Sequence, residues 1–327
     1  HEKGLQTVYN YSAKAYKSAP QNWALQQDKR GILYIGNNEG ILEYDGTSWR
    51  LMKVENETNV RSLCMDDKGR IFVGAEGEIG FLEPDQGGNI KYRSLLPNIA
   101  KKDLDFNDVW STIASKSCIY FQTDNKIFRW DGKNIKTWNA EKSFHRIFNV
   151  NEHIFVRERE IGLMVLIDDR LVPIQGGDAF SDEGVYAMVP MTDGASQNIL
   201  ICTKKKGLYV MTFNDGTVPA FAIVPFKTDI DPFLVENISY HLLRSNSLYS
   251  IATVSNGAVV VNSTGMLSSV LNKQTGLQDE TIYSQLVDAT GNLWLATSNG
   301  ISKISIHSPV TAFSDKNGLN GHVLDIV

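Results

Sequence analysis

No run of eighteen apolar residues occurs in the 327-residue sequence, which excludes a membrane-spanning helix within it. The longest apolar stretch, Gly162 to Ile167, is only long enough for a strand. Cysteine is scarce. Cys64, Cys118 and Cys202 stand far apart, with no C-x-x-C pair, so they read as small buried apolar residues rather than a disulfide framework or a thiolate metal site. Basic excess is also missing: 32 Lys and Arg face 37 Asp and Glu, a net charge of −5. A phosphate-binding face needs the opposite sign, so nucleic acid is not an expected partner.

Catalytic motifs are equally sparse. The histidines (His1, His145, His153, His241, His307, His322) show neither H-E-x-x-H nor H-x-H spacing, and G-x-S-x-G does not occur. The glycines of GAEGEIG, from Gly74 to Gly80, are evenly spaced and no helical pattern follows them. They therefore mark a turn rather than a dinucleotide cradle. Neither a metal nor a cofactor is expected. Helix signals are nearly absent, with Ile99 to Asp105 and Glu141 to Phe144 as the candidate helical turns. No linker rich in Pro, Gly or Ser divides the chain, so residues 1–327 read as a single domain. With 42% hydrophobic and 21% charged residues it has a globular composition.

What the sequence does contain is a repeat. DKRGILYIGNNEGILEYDG runs from Asp28 to Gly46, DDKGRIFVGAEGEIGFL from Asp66 to Leu82, and DATGNLWLATSNGISKI from Asp288 to Ile304. Aligned on the acid, glycine follows at the third place (Gly31, Gly69, Gly291). An aromatic follows at the sixth (Tyr34, Phe72, Trp294) and a small residue at the eighth (Gly36, Gly74, Ala296). Asp-x-x-Gly makes a tight turn, because the carboxylate accepts from backbone amides and glycine supplies positive φ. The alternating residues after it predict a strand, and the small residue lets a neighbouring sheet approach. A second turn, such as Asn38-Glu39-Gly40, returns the chain into a third strand.

Weaker copies fill the middle, with Tyr120, Phe155, Leu200 and Tyr249 in the aromatic place. The mean spacing is about 43 residues. A four-stranded unit repeated seven times at this period predicts an all-β fold: a seven-bladed β-propeller of four-stranded antiparallel blades. The expected blades are 22–56, 60–97, 108–139, 143–175, 184–225, 237–272 and 281–314. Residues 318–327 read as the start of a further, incomplete repeat, as in a chain cut from something longer. Thr7 to Ser12 reads as an outer strand that closes the ring by completing another blade.

The three strong units resemble the two-component regulator propeller repeat, roughly acid-x-x-Gly-x-aliphatic-Trp-aliphatic-Gly-Thr-x-x-Gly. Asn22-Trp23 to Trp49, followed by Val60-Arg61-Ser62-Leu63, is the segment most similar to the first blades of that group. The middle units depart from the pattern: Lys126 stands at the turn glycine, Arg157 stands in the small place, and the Asp-x-x-Gly turn is absent. The resemblance implies the extracytoplasmic, periplasmic sensor region of a bacterial membrane-bound regulator, such as a hybrid histidine kinase, dimeric in the full-length receptor. It further implies a role in signal transduction, with kinase or DNA-binding output outside this sequence.

In a propeller, the connections into inner strands and the turns between second and third strands reach one face around the channel. Trp23, Arg61 and Tyr283 share a column five places before the acid. Trp110, His145-Arg146, Tyr186 and Tyr240-His241 sit comparably in the weaker units. Aromatic faces and bidentate arginines suit sugars and other polar ring-shaped ligands. The candidate ligand-binding set is Trp23, Arg61, Trp110, Arg146, Tyr186, His241 and Tyr283, joined from the turns by Asn38, Glu76, Asp124, Arg157 and Asn299. The competing expectation is that Trp23 and Trp110 pack between blades. The runs Arg157-Glu158-Arg159-Glu160 and Lys204-Lys205-Lys206 read as solvated hairpin tips.

Three function classes follow. The first is a non-enzymatic sensor for a small polar ligand such as an oligosaccharide. The second is a propeller enzyme, a lyase or glycan hydrolase, with Glu39, Glu76, Asp124 and Glu158 as acids near the channel face. The third is a scaffold for a partner protein.

Overall fold

The computed structural model describes residues 6–192, 198–214 and 220–306. Every sheet in it has four antiparallel strands, and there are seven sheets. The inner strands are Asn22–Gln27, Val60–Met65, Ser111–Ala114, Phe144–Val150, Val185–Pro190, Ser239–Ser245 and Ile282–Val287, for blades one to seven. Each of the first six blades runs outward in chain order. The seventh takes its outer strand from the other end of the chain: Val8–Tyr11 pairs with Gly300–Ile304, Val8 opposite Ile304. The ring is therefore a seven-bladed β-propeller, closed by the N-terminal strand. Ile99 to Asp105 contains a short 3-10 turn at Lys101–Asp103. Glu141 to Phe144 is not helical; Phe144 opens the inner strand of blade four, because its side chain is fully buried between blades. The segment 318–327 lies outside the described residues.

The repeat columns have the packing roles their chemistry demands. All seven aromatic-column residues, including Leu200, are at most 6% exposed. The small residue sits where the next blade presses in. A Cβ on Gly74 would stand 2.5 Å from Ser62 Oγ and from Val109 of blade three, so nothing larger fits. The acid binds its own turn and, in two blades, its own aromatic. Asp288 accepts from the Thr290 and Asn292 amides, and from Trp294 Nε1 at 2.7 Å. Asp28 accepts from the Arg30 and Ile32 amides and holds the Arg30 guanidinium, which reaches Tyr34 Oη at 3.1 Å. Blade four replaces this turn by a two-residue hairpin, Asn151 and Glu152, both at positive φ.

On one face, the turn after each second strand is bound to the connection entering its own inner strand, as in Asn38 N–H to Gln21 O and Ser298 N–H to Thr281 O. The same turns reach across to the next blade: Gly77 N–H to Asn107 O, Glu160 N–H to Ser181 O, Gly257 N–H to Glu280 O and Gly300 N–H to Pro20 O. These bonds make the face around the channel a rigid rim.

Candidate functional site

Six inner strands carry a one-residue bulge at the rim. The ladder skips Trp23, Arg61, His145, Tyr186, Tyr240 and Tyr283. In blade three Trp110 stands just before the strand begins at Ser111. A bulge places two residues opposite one and re-aims the extra side chain. Here it turns Trp23, Arg61, Tyr186, Tyr240 and Tyr283 out of the sheets and toward the axis, whereas in blade four Arg146 reaches the hub and the bulged His145 lines the cleft toward blade five.

A cavity of about 230 Å³ lies at this hub, and Trp23, Arg61, Trp110, Arg146, Tyr186, His241 and Tyr283 all line it. The two tryptophans are half-buried hub walls rather than packing between blades. Tyr240 joins them between Tyr186 and Tyr283, tilted against the first at 5.2 Å and edge-on to the second at 5.3 Å between ring centroids. Tyr283 stacks on Trp23 at 4.4 Å, and the Arg61 guanidinium lies 4.0 Å from the Trp23 ring. Two groups so close to one ring occupy its opposite faces. Arg61 also lies 5.2 Å from Trp110. Arg146 closes the circle: it donates to Trp110 O at 2.8 Å and lies 5.6 and 5.1 Å from the rings of Tyr186 and Tyr240.

The two arginines differ electrically. Arg61 Nε is paired with Asp108 at 2.7 Å, and both are largely buried. Arg146 has no carboxylate within ion-pair distance among the described residues; it donates to the Trp110 carbonyl and to Ser111 Oγ. His241 is pushed down to about 4 by burial and then by the charge of Arg146, so it is neutral at pH 7. Burial likewise lowers His145 to about 3. The Nδ1 atoms of both are buried without a hydrogen-bond partner.

The turn residues separate from the hub. Asn38 supports it from behind, accepting from Trp23 Nε1 at 2.6 Å and donating to Gln21. Glu76, Asp124 and Asn299 are exposed on the same rim without lining the cavity. Arg157 lines a second cleft, between blades four and five. The solvated-tip reading fails for half of its run, since Arg157 and Glu158 are 4% and 2% exposed. The strand continues through them, and Glu158 accepts from the Lys142 amide. Arg159, Glu160 and Lys204 to Lys206 are exposed as expected. None of the acids weighed for catalysis, Glu39, Glu76, Asp124 or Glu158, lines the hub. Asp108 escaped the sequence reading because its pairing with Arg61 crosses from one blade to the next, and no local pattern marks it.

No protein-family model and no curated protein matches the sequence. Solved structures do match. The extracellular domain of the hybrid two component system BT4673 from B. thetaiotaomicron has a TM-score of 0.68 and 20% identity, over 91% of this chain and 39% of its own length. The corresponding domain of BT3049 gives 0.67 and 17%, over 92% and 42%. A streptogramin B lyase gives 0.64 and 12%, over 91% of this chain and 97% of its own. At these identities the likeness establishes the fold. The chain spans about two fifths of the length of the two-component system domains. Among the described residues no helix is long and apolar enough to cross a membrane.

Proposed function

We propose that this chain is an extracytoplasmic ligand-sensing domain of a bacterial signal-transduction regulator of the two-component type, and that its hub receives a polar, ring-bearing ligand such as an oligosaccharide. The observation that carries the reading is the closed circle of aromatic rings and arginines around the hub. Aromatic faces contact the CH faces of sugar rings, and a guanidinium without a counter-ion offers directed donors to hydroxyl or acid groups. The resemblance of the repeat and the two-component neighbours support the signalling role. The domain would act by differential binding: a ligand that prefers one arrangement of paired receptors shifts the equilibrium between them, with a coupling of about 1–3 kcal/mol.

The lyase neighbour favours a second reading, a propeller enzyme. The hub lining itself contains no carboxylate among the described residues, so it offers no acid pair for glycan hydrolysis. Isothermal titration against a panel of oligosaccharides tests the first reading. Binding weakened about tenfold in Arg146→Gln is the expected result, and silence across the panel removes the sugar ligand. Release of product from a polysaccharide mixture, abolished in His241→Ala, would establish the enzyme instead.

A further inference from the structure

We infer that the cleft between blades four and five is a separate oxyanion site, built to take a carboxylate, sulfate or phosphate group. The inference does not depend on the hub being a receptor pocket. The cleft holds about 340 Å³, and its walls include Arg157, Arg159, Lys204, His145 and Tyr186.

Arg157 carries the argument. In the strong repeats its place belongs to Gly36, Gly74 or Ala296, which let the next blade close in. In blade four a guanidinium fills that interface instead, 4% exposed. Its Nε donates to Phe180 O at 3.0 Å and its Nη2 to Ser181 O. Those bonds use two of the five donors of a guanidinium. No carboxylate lies within ion-pair distance of it among the described residues. A buried cation without a counter-ion is costly, and an arriving anion relieves that cost. Burial and the nearby Arg159 both depress its charged form, in agreement with this geometry.

The remaining charges on the cleft favour an anion. Arg159 and Lys204 are exposed on its walls and form no ion pair among the described residues. The acids on the wall are Glu160 and Asp182. Glu160 is engaged by Lys142 at 3.3 Å, and Glu183 nearby accepts from the Lys205 amide at 2.8 Å. Asp182 and Glu183 both act on Arg157 electrostatically from beyond ion-pair distance, so Arg157, Arg159 and Lys204 face two acids that no cation pairs among the described residues. Gly184 lets the Tyr186 ring and His145 close onto this wall, since a Cβ there would stand 3.0 Å from the one and 3.3 Å from the other. Tyr186 also lines the hub, so an acid group on a sugar could reach the cleft while its ring meets that tyrosine.

Isothermal titration of the chain with sodium sulfate, against sodium chloride at matched ionic strength, is the test. Saturable sulfate binding is expected, weakened at least about tenfold in R159Q/K204Q and retained in Arg146→Gln. Both substituted side chains of the double variant are exposed, and its melting temperature confirms folding. Glucuronate and glucose separate the sources of the anion. Glucuronate binding more tightly than sulfate, with glucose inert, identifies an acid group carried on a sugar; equal binding identifies a free oxyanion. Absence of saturable sulfate binding, or binding that survives in R159Q/K204Q, overturns the site, and loss in Arg146→Gln alone would assign the anion to the hub.

Discussion

The arc formed by blades seven, one and two differs from the arc formed by blades four, five and six. In the first arc every large hub group is satisfied by the protein. Trp23 is covered by Tyr283 and Arg61, its Nε1 is bonded to Asn38, and Arg61 is neutralised by Asp108. The Asp-x-x-Gly turns belong to the same arc. In the second arc the turns are irregular and polar groups remain open: Arg146 lacks a carboxylate, and His145 and His241 have buried Nδ1 atoms without partners. Where the repeat is regular it builds scaffold, and where it departs it leaves unsatisfied chemistry. Natural sequences break local rules mainly at sites with another task.

The sharpest test of the scaffold half is Trp294→Ala. It removes a 2% exposed ring and the bond to Asp288, with an expected loss of about 4 kcal/mol in denaturant unfolding. Leu200→Ala in blade five lacks the polar partner and should lose about 3 kcal/mol. Equal losses would show that the coupling of acid to aromatic adds nothing.

The arginines come next. Arg61→Gln leaves Asp108 largely buried without its partner, and about 2 kcal/mol of stability should go, reduced from the fully buried case by partial exposure. Arg146→Gln should stay within about 1 kcal/mol of the parent while ligand affinity drops about tenfold. Reversal of that order would exchange the roles of the two arcs.

Acid offers a third comparison. The folded values of His145 and His241 lie below the ordinary value of 6.5, so the unfolded chain binds more protons and stability rises with pH in that window. Stability should fall as pH drops below about 6.5, continuing to about 4 for His241 and about 3 for His145, by about 1 kcal/mol each at pH 5.5. His145→Phe and His241→Phe should flatten the dependence of melting temperature on pH. An unchanged slope would show that the second arc is not the titrating one.

The smallest contrast concerns turns. Gly291, at φ +82° in the Asp288 turn, should lose about 1 kcal/mol on change to Ala. Asn246, at φ +53° in the blade-six hairpin, should change by less than about 0.5 kcal/mol on substitution with Gly. Thermal unfolding of both variants reads the difference.

The same division explains what could be read before the fold was known. Asp28, Asp66 and Asp288 announce their blades because turn chemistry is local, and the spacing of Tyr34, Phe72 and Trp294 gives the period. The hub column was visible because a bulge falls at a fixed distance before the acid, as at Trp23, Arg61 and Tyr283. In blades four and six that ruler is missing. There the sequence offers the pairs His145-Arg146 and Tyr240-His241, the candidate set takes the second member of each, and the ladder skips the first. Arg157 was legible as an exception to the small column. Its burial was not, because burial depends on the connection Gly177–Phe180 of the neighbouring blade.

The closing pair has a mechanical consequence. Val8 lies opposite Ile304 and Tyr11 opposite Ile301, so the chain enters and leaves this seam at the same end. A pull that separates those two points loads the ladder bonds in succession, as in opening a zipper, instead of all at once in shear. The disc thereby has a defined weak line, and tension between whatever lies before residue 8 and after residue 304 would open it there before disturbing any other blade.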